Sequence, residues 1–286
     1  MPLFSFFSFI IIGAIMTETW RLLLSPPSTG AWNMAVDEAI LENIIRADSL
    51  PTLRLYAWDP PCLSLGRTQS FADANITALK EKGWGIVRRA TGGRAILHTD
   101  ELTYAIFAPK DNRHVKGSVL ESYQYLAQAL ITALEDLGAN VEMTTEKKKG
   151  ETNCNPVCFE TPSAYEITVN GKKIIGSAQA RQKGGVLQHG SLPLTGDLAR
   201  VTEALSFPDE KSRQTAAQKL MSHASTLESA LGLEVDWGRA SKSFARAFQS
   251  VLGIRLVSAG LSEAEKRRAS ELVPQKYAHP DWIERI

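Results

Sequence analysis

The chain has 286 residues, 44% of them hydrophobic and 22% charged, with a formal net charge of +1. That length suffices for one large domain or two modest ones, and the composition is ordinary for a soluble globular protein. The near-neutral balance carries no strong nucleic-acid footprint. Three cysteines without framework spacing fit a reducing compartment, so the expected location is the cytoplasm, with neither nucleic acid nor membrane as partner.

Residues 3–12 are apolar enough for the h-region of a signal peptide. No Lys or Arg precedes them, no small-x-small cleavage site follows, and the run falls short of the ~20 residues that span a bilayer as a helix. The expectation is a non-native or disordered extension over residues 1–15, with Met16 as the biological start. Residues 16–286 are expected to form a single domain with a helical C-terminal elaboration, because no repeat or low-complexity linker divides them.

Trp20–Leu24 reads as a first strand, Pro26–Gly30 as a turn, and Ala31–Arg46 as a helix with Met34, Leu41, Ile44 and Ile45 on one face. Glu38 lies on that stripe with Asp37 beside it. Either one carboxylate is partly buried and takes a cationic partner, for which Arg88 and Arg89 are candidates, or the pair marks a solvated helix edge. Leu53–Trp58 and Leu63–Leu65 alternate with period two around Asp59-Pro60-Pro61, which predicts paired strands with a rigid connection. Cys62 reads as a small core residue. Gly66–Gln69 then leaves the sheet, and Lys80–Gly83 marks a helix end.

The run Arg88-Arg89-Ala90-Thr91-Gly92-Gly93-Arg94-Ala95-Ile96-Leu97-His98 sets a glycine pair between arginines and ends on a histidine. Glycines let the backbone approach a ligand closely and turn its N–H groups toward negative charge, and arginines supply donors suited to carboxylate or phosphate. On spacing alone, a second reading stands beside this pocket wall: an ordinary hairpin turn joining Ile86–Arg88 to Ala95–Leu97. Further on, Ser118 and Glu121 form a capping box, and apolar residues recur at helical spacing from Leu120 to Leu137 until Gly138 closes the helix. Glu146–Glu151 has no hydrophobic period and predicts an exposed loop, whose charge could help meet an acidic carrier protein.

Asn170-Gly171 is a strong two-residue hairpin signal. It pairs Val169 with Lys172 and Thr168 with Lys173, so Lys173, Ile175, Glu166 and Thr168 share one face while Tyr165, Ile167, Val169 and Ile174 share the other. A strand lysine taken alone is more often solvated than functional. Upstream, Cys158 lies between Pro156 and Pro162 on a constrained loop. A cysteine nucleophile needs its thiolate, which a nearby ammonium such as Lys173 would favour, although a lone cysteine is more often a buried structural thiol. Cys154 and Cys158 lack a second Cys or His pair at zinc spacing, so no metal is expected. Beyond Leu194 the chain reads as helices broken by Pro208 and Gly232, with capping boxes at Ser225/Glu228 and Ser262/Glu265. Strands and helices follow one another without βαβ regularity, which predicts an α+β fold with a mixed, largely antiparallel sheet flanked by helices.

Several of these runs are similar to known ones. Arg88–Phe107 resembles the signature loop of the biotin/lipoate protein ligase superfamily, and Cys158–Leu194 resembles its octanoyltransferase branch, of the LipM type. With Trp20–Leu41 and Glu271–Tyr277 the resemblance covers nearly everything after Met16. It implies the superfamily's catalytic-domain fold and acyl transfer in lipoate biosynthesis. Cys158, in Cys-Phe-Glu-x-Pro-Ser, would be the nucleophile and Lys173, in Lys-Ile-Ile-Gly-Ser-Ala, its catalytic partner. Arg89, Thr91, Gly92, Gly93, Arg94, His98, Gly176 and Ser177 would bind substrate, with backbone N–H groups at Gly92-Gly93 or Gly176-Ser177 as oxyanion donors. Gln188 and His189 match a family run without an assigned step.

The implied donor is octanoyl-acyl carrier protein, and the implied acceptor is a lysine of a lipoyl-domain protein such as the glycine-cleavage H protein, with no cofactor. Three rivals remain. An ATP-dependent lipoate-protein ligase shares the loop and lysine, but usually carries a third glycine where this chain has Arg94. An amidotransferase would move octanoyl between lipoyl domains, also through cysteine. A non-catalytic carrier-binding module would need neither Cys158 nor Lys173.

Overall fold

The computed structural model describes residues 17–144, 166–182 and 184–286. The apolar extension with Met16, the run Glu146–Glu151, Tyr165, Cys154 and Cys158 lie outside the described residues. The strands are β1 (Glu18–Leu24), β2 (Thr52–Tyr56), β3 (Cys62–Leu65), β4 (Gly85–Arg88), β5 (Ile96–His98), β6 (Glu101–Pro109), β7 (Val141–Thr144), β8 (Glu166–Val169), β9 (Lys172–Gln182), β10 (Gly185–Pro193) and β11 (Ile254–Ser258). The helices are α1 (Gly30–Ile45), α2 (Ile76–Glu81), α3 (Val119–Asp136), α4 (Glu210–His223), α5 (Leu227–Leu231), α6 (Trp237–Leu252), α7 (Glu263–Leu272) and α8 (Pro280–Ile283).

Eight strands make one sheet in the order β11-β1-β2-β6-β10-β9-β8-β7. β1 runs parallel to β2 and β11, and the other pairs are antiparallel. This is the mixed, largely antiparallel α+β arrangement that the element pattern predicts. Successive side chains on a strand point to opposite faces, and β6 shows the result. Leu102, Tyr104, Ile106 and Ala108 join the core layer packed by α3 and α6, while Ala105 and Phe107 join the layer packed by α1 and α7. With both faces covered, β6 is buried from Glu101 to Ala108.

α1 departs from the single apolar face expected of it. Asn33, Asp37 and Asn43 are buried along with its apolar residues. The sheet covers one side of the helix and α7 with the 273–277 turn covers another, so polar positions that periodicity assigns to solvent are enclosed.

The second sheet has three strands in the order β4-β3-β5, with β3 parallel to β4 and antiparallel to β5. Two expectations fail here. β2 and β3 do not pair, because they belong to different sheets, and the Asp59-Pro60-Pro61 link carries the chain from one to the other. Gly92-Gly93 is not a hairpin turn, because β3 stands between β4 and β5 and the glycine loop arches over its end. Gly66, just past β3, lies beneath that arch, where an added Cβ would come 1.9 Å from the Gly93 carbonyl oxygen.

The Asn170-Gly171 hairpin forms as read, with φ of 52° and 72° and the predicted pairing of Thr168 with Lys173. A bulge near Ile167 shifts the register further along. The Ser118 and Ser262 capping boxes are present. The Ser225 box is not: Thr226 caps α5 by accepting from the Ser229 N–H, and Glu228 accepts a hydrogen bond from Thr195 instead. β11 was not anticipated within the helical C-terminal part, because it is a short and largely exposed edge strand with no clean alternation. No helix among the described residues is long and apolar enough to cross a membrane.

Gly66→Ala should lower the unfolding free energy by about 1–3 kcal/mol, the usual cost of forcing atoms into a packed site. Urea denaturation checks this, and an unchanged midpoint would mean that the glycine loop does not rest on Gly66.

Candidate active site

Three elements meet beneath the glycine loop: α1, the strand pair β2–β6, and the β9–β10 pair. Thr29 caps α1, and one turn in, Asn33 and Asp37 face β2. The Arg54 guanidinium on β2 lies 2.6 Å from Asp37 Oδ1 and donates to the Asn33 carbonyl (3.0 Å), to Asn33 Oδ1 (2.8 Å) and to Ser25 Oγ (3.1 Å). The Tyr56 hydroxyl donates to Asp37 Oδ2 at 3.1 Å. Asp37 is therefore the buried carboxylate, and its cation is Arg54 rather than Arg88 or Arg89. Glu38 also finds partners elsewhere, in Lys276 Nζ and the Tyr277 hydroxyl at 2.5 Å each.

Two histidines border the cavity above this knot, each beside a carboxylate. His189 Nε2 lies 2.7 Å from Thr91 Oγ1, and its Nδ1 lies 3.6 Å from Asp37 Oδ2. Burial pushes the His189 pKa down, chiefly by desolvation, so the ring is neutral. Its proton then belongs on Nδ1, facing Asp37, and Nε2 accepts from the Thr91 hydroxyl. His98 Nδ1 lies 2.8 Å from Glu101 Oε1. Glu101 also accepts from Ser191 Oγ at 2.6 Å and from Thr103 Oγ1, which itself receives the Trp58 indole N–H at 2.8 Å. The His98 ring stacks on Trp58 with centroids 3.9 Å apart and planes 3° from parallel.

The cavity encloses about 450 Å³ of atom-free space, including its mouth, and has Met34, Trp58, Ile96, Gly93, Gly176 and Gly190 in its walls. It meets a second hollow at Ser177 and Ala178, which line both. Lys173 faces that second hollow together with Tyr123, Ile175 and Glu166, and its Nζ lies 2.8 Å from Glu166 Oε1. The hairpin face predicted to carry Glu166, Lys173 and Ile175 thus does line a pocket.

Arg89 lines the cavity, and both it and Arg88 also bond to the backbone. Arg89 donates to the carbonyls of Ser64, Gly92 and Arg94 and to Ser64 Oγ. It staples the glycine loop to β3 from the cavity wall. Arg88 donates to the carbonyls of Gly66, Gln69, Trp282 and Ile283. Of the other sequence candidates, His98, Gly93, Gly176 and Ser177 line the cavity, Thr91 is buried under the loop, and Gly92 and Arg94 lie outside the lining. Sequence reasoning missed Arg54, Tyr56, Trp58, Glu101, Thr103 and Ser191. The one available signal was charge inside apolar strands, Arg54 in Leu-Arg-Leu-Tyr and Glu101 ahead of Leu-Thr-Tyr-Ala-Ile-Phe.

Cys62 is the core residue expected: fully enclosed beside Gly30, its thiol is pushed up to about 12 by burial. Such a group supplies no thiolate near neutral pH. Among the described residues no cluster of His, Cys, Asp or Glu is arranged to hold a metal.

Residues 29–249 match the family described as lipoyl protein ligase A/B catalytic domain, and the chain belongs to that family. Among its relatives, the octanoyltransferase LipM of Moorella thermoacetica is 44% identical over 270 residues, covering 94% of this chain and 98% of its own. The octanoyltransferase LipM of Bacillus subtilis is 35% identical over 272 residues, with 93% and 98% covered. Among solved structures, a chain from an archaeal lipoylation system of Thermoplasma acidophilum, a bi-partite lipoate protein ligase and its E2 lipoyl domain, superposes with a TM-score of 0.78. It is 25% identical, with 93% of this chain and 96% of that chain covered.

Because the folded-state pKa of His189 lies below its ordinary value, the unfolded chain takes up the proton first as pH falls. The stability held by neutral His189 is complete above about pH 6.5 and is lost on acidification below it. Urea midpoints measured from about pH 7 to about pH 5 should fall for the wild type and fall less for His189→Gln. Equal slopes would show that His189 is not held neutral.

Proposed function

We propose that the protein is an octanoyltransferase of lipoate biosynthesis. It moves an octanoyl group from acyl carrier protein, through a thioester on Cys158, to a lysine of a lipoyl-domain protein such as the glycine-cleavage H protein. The observation that carries this reading is the junction of the two hollows. An apolar cavity opens at Ser177 and Ala178 beside Lys173, and the chain from Cys158 joins the sheet at Glu166, the ion-pair partner of that lysine, eight residues later in sequence. Two relatives named octanoyltransferase LipM, each matched over nearly its full length, support the same reading.

The steps follow from thiol chemistry. The Cys158 thiolate attacks the thioester carbonyl of the donor, the new C–S bond forms, and the bond to the carrier's sulfur breaks so that the carrier departs as its thiolate. The neutral ε-amine of the acceptor lysine then attacks the octanoyl-enzyme. The amide forms, the C–S bond to Cys158 breaks, and the proton lost by the amine returns to the thiol. Thioester exchange is nearly balanced and amide formation runs downhill, so the chemistry needs no ATP. Lys173, held by Glu166, favours the thiolate and orients the carbonyl. Backbone N–H groups at Gly93 or at Gly176-Ser177 serve as oxyanion donors. The walls formed by Met34, Trp58 and Ile96 bury the acyl tail, at about 0.8 kcal/mol for each enclosed methylene.

Arg88 and Arg89, the cations a phosphate cradle would use, are bonded to carbonyl oxygens, and Arg94 replaces the third glycine of the ligase loop. Both points favour acyl transfer over adenylation. Incubation with octanoyl-acyl carrier protein without ATP should add one octanoyl group to the intact mass. The adduct should be labile to hydroxylamine, absent in Cys158→Ala and retained in Cys154→Ala. Acyl-adenylate from ATP and free lipoate, with no adduct from the carrier, would make the protein a ligase.

A further inference from the structure

Three segments meet at the glycine loop and bring an excess of positive charge with them. Residues 66–73, 88–95 and 281–286 carry five arginines, Arg67, Arg88, Arg89, Arg94 and Arg285, against three carboxylates, Asp73, Asp281 and Glu284. Backbone contacts hold the segments together. The Arg67 N–H donates to the Thr91 carbonyl at 2.9 Å, and Arg89 Nη2 donates to the Arg94 carbonyl at 2.8 Å. The Arg88 guanidinium stands between the Gly66 carbonyl at 2.8 Å and the Ile283 carbonyl at 2.6 Å. The chain at Arg67 therefore lies on one side of it and the chain at Arg285 on the other.

A carbonyl oxygen orients a guanidinium without cancelling its charge. Burial lowers the Arg88 pKa, and the like charge of Arg285 lowers it further. The side chains of Arg67, Arg94 and Arg285 stand outside the carbonyl network. None of the three has a hydrogen bond or ion pair among the described residues, and the Arg285 guanidinium lies 4.9 Å from the centre of the Trp282 ring. The carboxylates do not pair with them either: Asp73 accepts from the Gln69 amide, and Asp281 lies beside His279. Arg67 and Arg285 are exposed, as are Gly92 and Gly93 at the crest of the loop. The result is a basic ridge, and Gly93 belongs both to that ridge and to the cavity wall.

We propose that this ridge is where the acidic acyl carrier protein docks. This rests on the octanoyl-transfer reading. Charges of one sign grouped at a rim raise the local concentration of an oppositely charged partner and speed its association. The arginines lie on three segments around the loop, a breadth that matches the face of a protein rather than one phosphate group. A carrier seated there holds its acyl arm over Gly93, at the wall of the cavity that takes the tail. Arg67, Arg94 and Arg285 supply the contacts, while Arg88 and Arg89, fixed to carbonyls, add to the field from beneath.

The test is the rate at which acyl carrier protein associates with the intact protein, followed by stopped-flow fluorescence of a labelled carrier from about 0.05 M to about 0.5 M salt. Arg67→Glu and Arg285→Glu should each slow association by about 3- to 10-fold at low salt, with dissociation much less changed, and the difference should shrink as salt rises. Lys242→Glu makes the same charge change on α6, which packs against the opposite face of the large sheet, and should leave the rate near that of the wild type. Equal slowing by all three reversals would mean that net charge alone matters and would overturn the inference. Wild-type rates in Arg67→Glu and Arg285→Glu would overturn it too. The octanoyl adduct formed by the wild type reports transfer separately, and transfer would stand in both cases. A wild type that binds no carrier, with ATP affinity lost in the two variants, would make the ridge a nucleotide site and remove the octanoyl-transfer reading together with this inference.

Discussion

The buried contact between Arg54 and Asp37 is the constraint on which the rest of the site depends. An ion pair enclosed in a protein interior is stable only when its remaining donors and acceptors are satisfied, and removing one partner typically costs about 3–5 kcal/mol. Here Ser25, Asn33 and Tyr56 supply those bonds, and the Arg54 guanidinium lies 4.0 Å from the centre of the Tyr56 ring. The pair fixes α1 against β2. Through Asp37 it also orients His189, and through His189 it reaches Thr91 in the glycine loop. A helix, a central strand and a pocket wall are thereby held in one register by buried side chains.

The glycine loop is held from its other side by Arg88 and Arg89. Strand ends and tight turns leave carbonyl oxygens without ladder partners, and buried ones need donors. Two guanidiniums answer that need. Arg89 gathers carbonyls within the loop, and Arg88 ties the turn at Gly66 to Trp282 and Ile283, whose segment answers with the Trp282 indole N–H on the Arg88 carbonyl. Part of the positive charge near the glycine loop thus serves backbone carbonyls. The cavity is bordered by apolar wall, two histidines, hydroxyl groups and the Arg89 guanidinium, which is itself bonded to the loop carbonyls.

Legibility in the sequence followed the range of the interaction. The Asn170-Gly171 hairpin, the Ser118 and Ser262 capping boxes and the long helix α3 depend on contacts within a few residues, and all form as read. The Lys173 face was legible for the same reason, since pairing across a two-residue turn leaves one choice of side. Thr226 displaced Ser225 as the α5 cap by a single position. The partners of β2, β3 and the glycine loop could not be read, because period-two alternation states which side of a strand is apolar and not which strand lies beside it. Arg54 and Glu101 stood out only as charges within apolar runs. Arg54 finds Asp37 17 residues away, and Glu101, besides its near neighbours His98 and Thr103, takes Ser191 from 90 residues away; no local rule connects the distant pairs.

By itself, then, the amino-acid order determined most of the elements, the α+β class, the hairpin that presents Lys173 and, through similarity, the family. Each of these is encoded by propensity, turn chemistry or short-range pairing. Only the tertiary structure decided that Arg88 and Arg89 serve carbonyls, that Asp37 belongs to Arg54, and that His189 joins Asp37 to Thr91. Those outcomes arise where three elements distant in the chain enclose the same polar atoms, and each buried atom must then take its partner from whatever the fold has brought within reach.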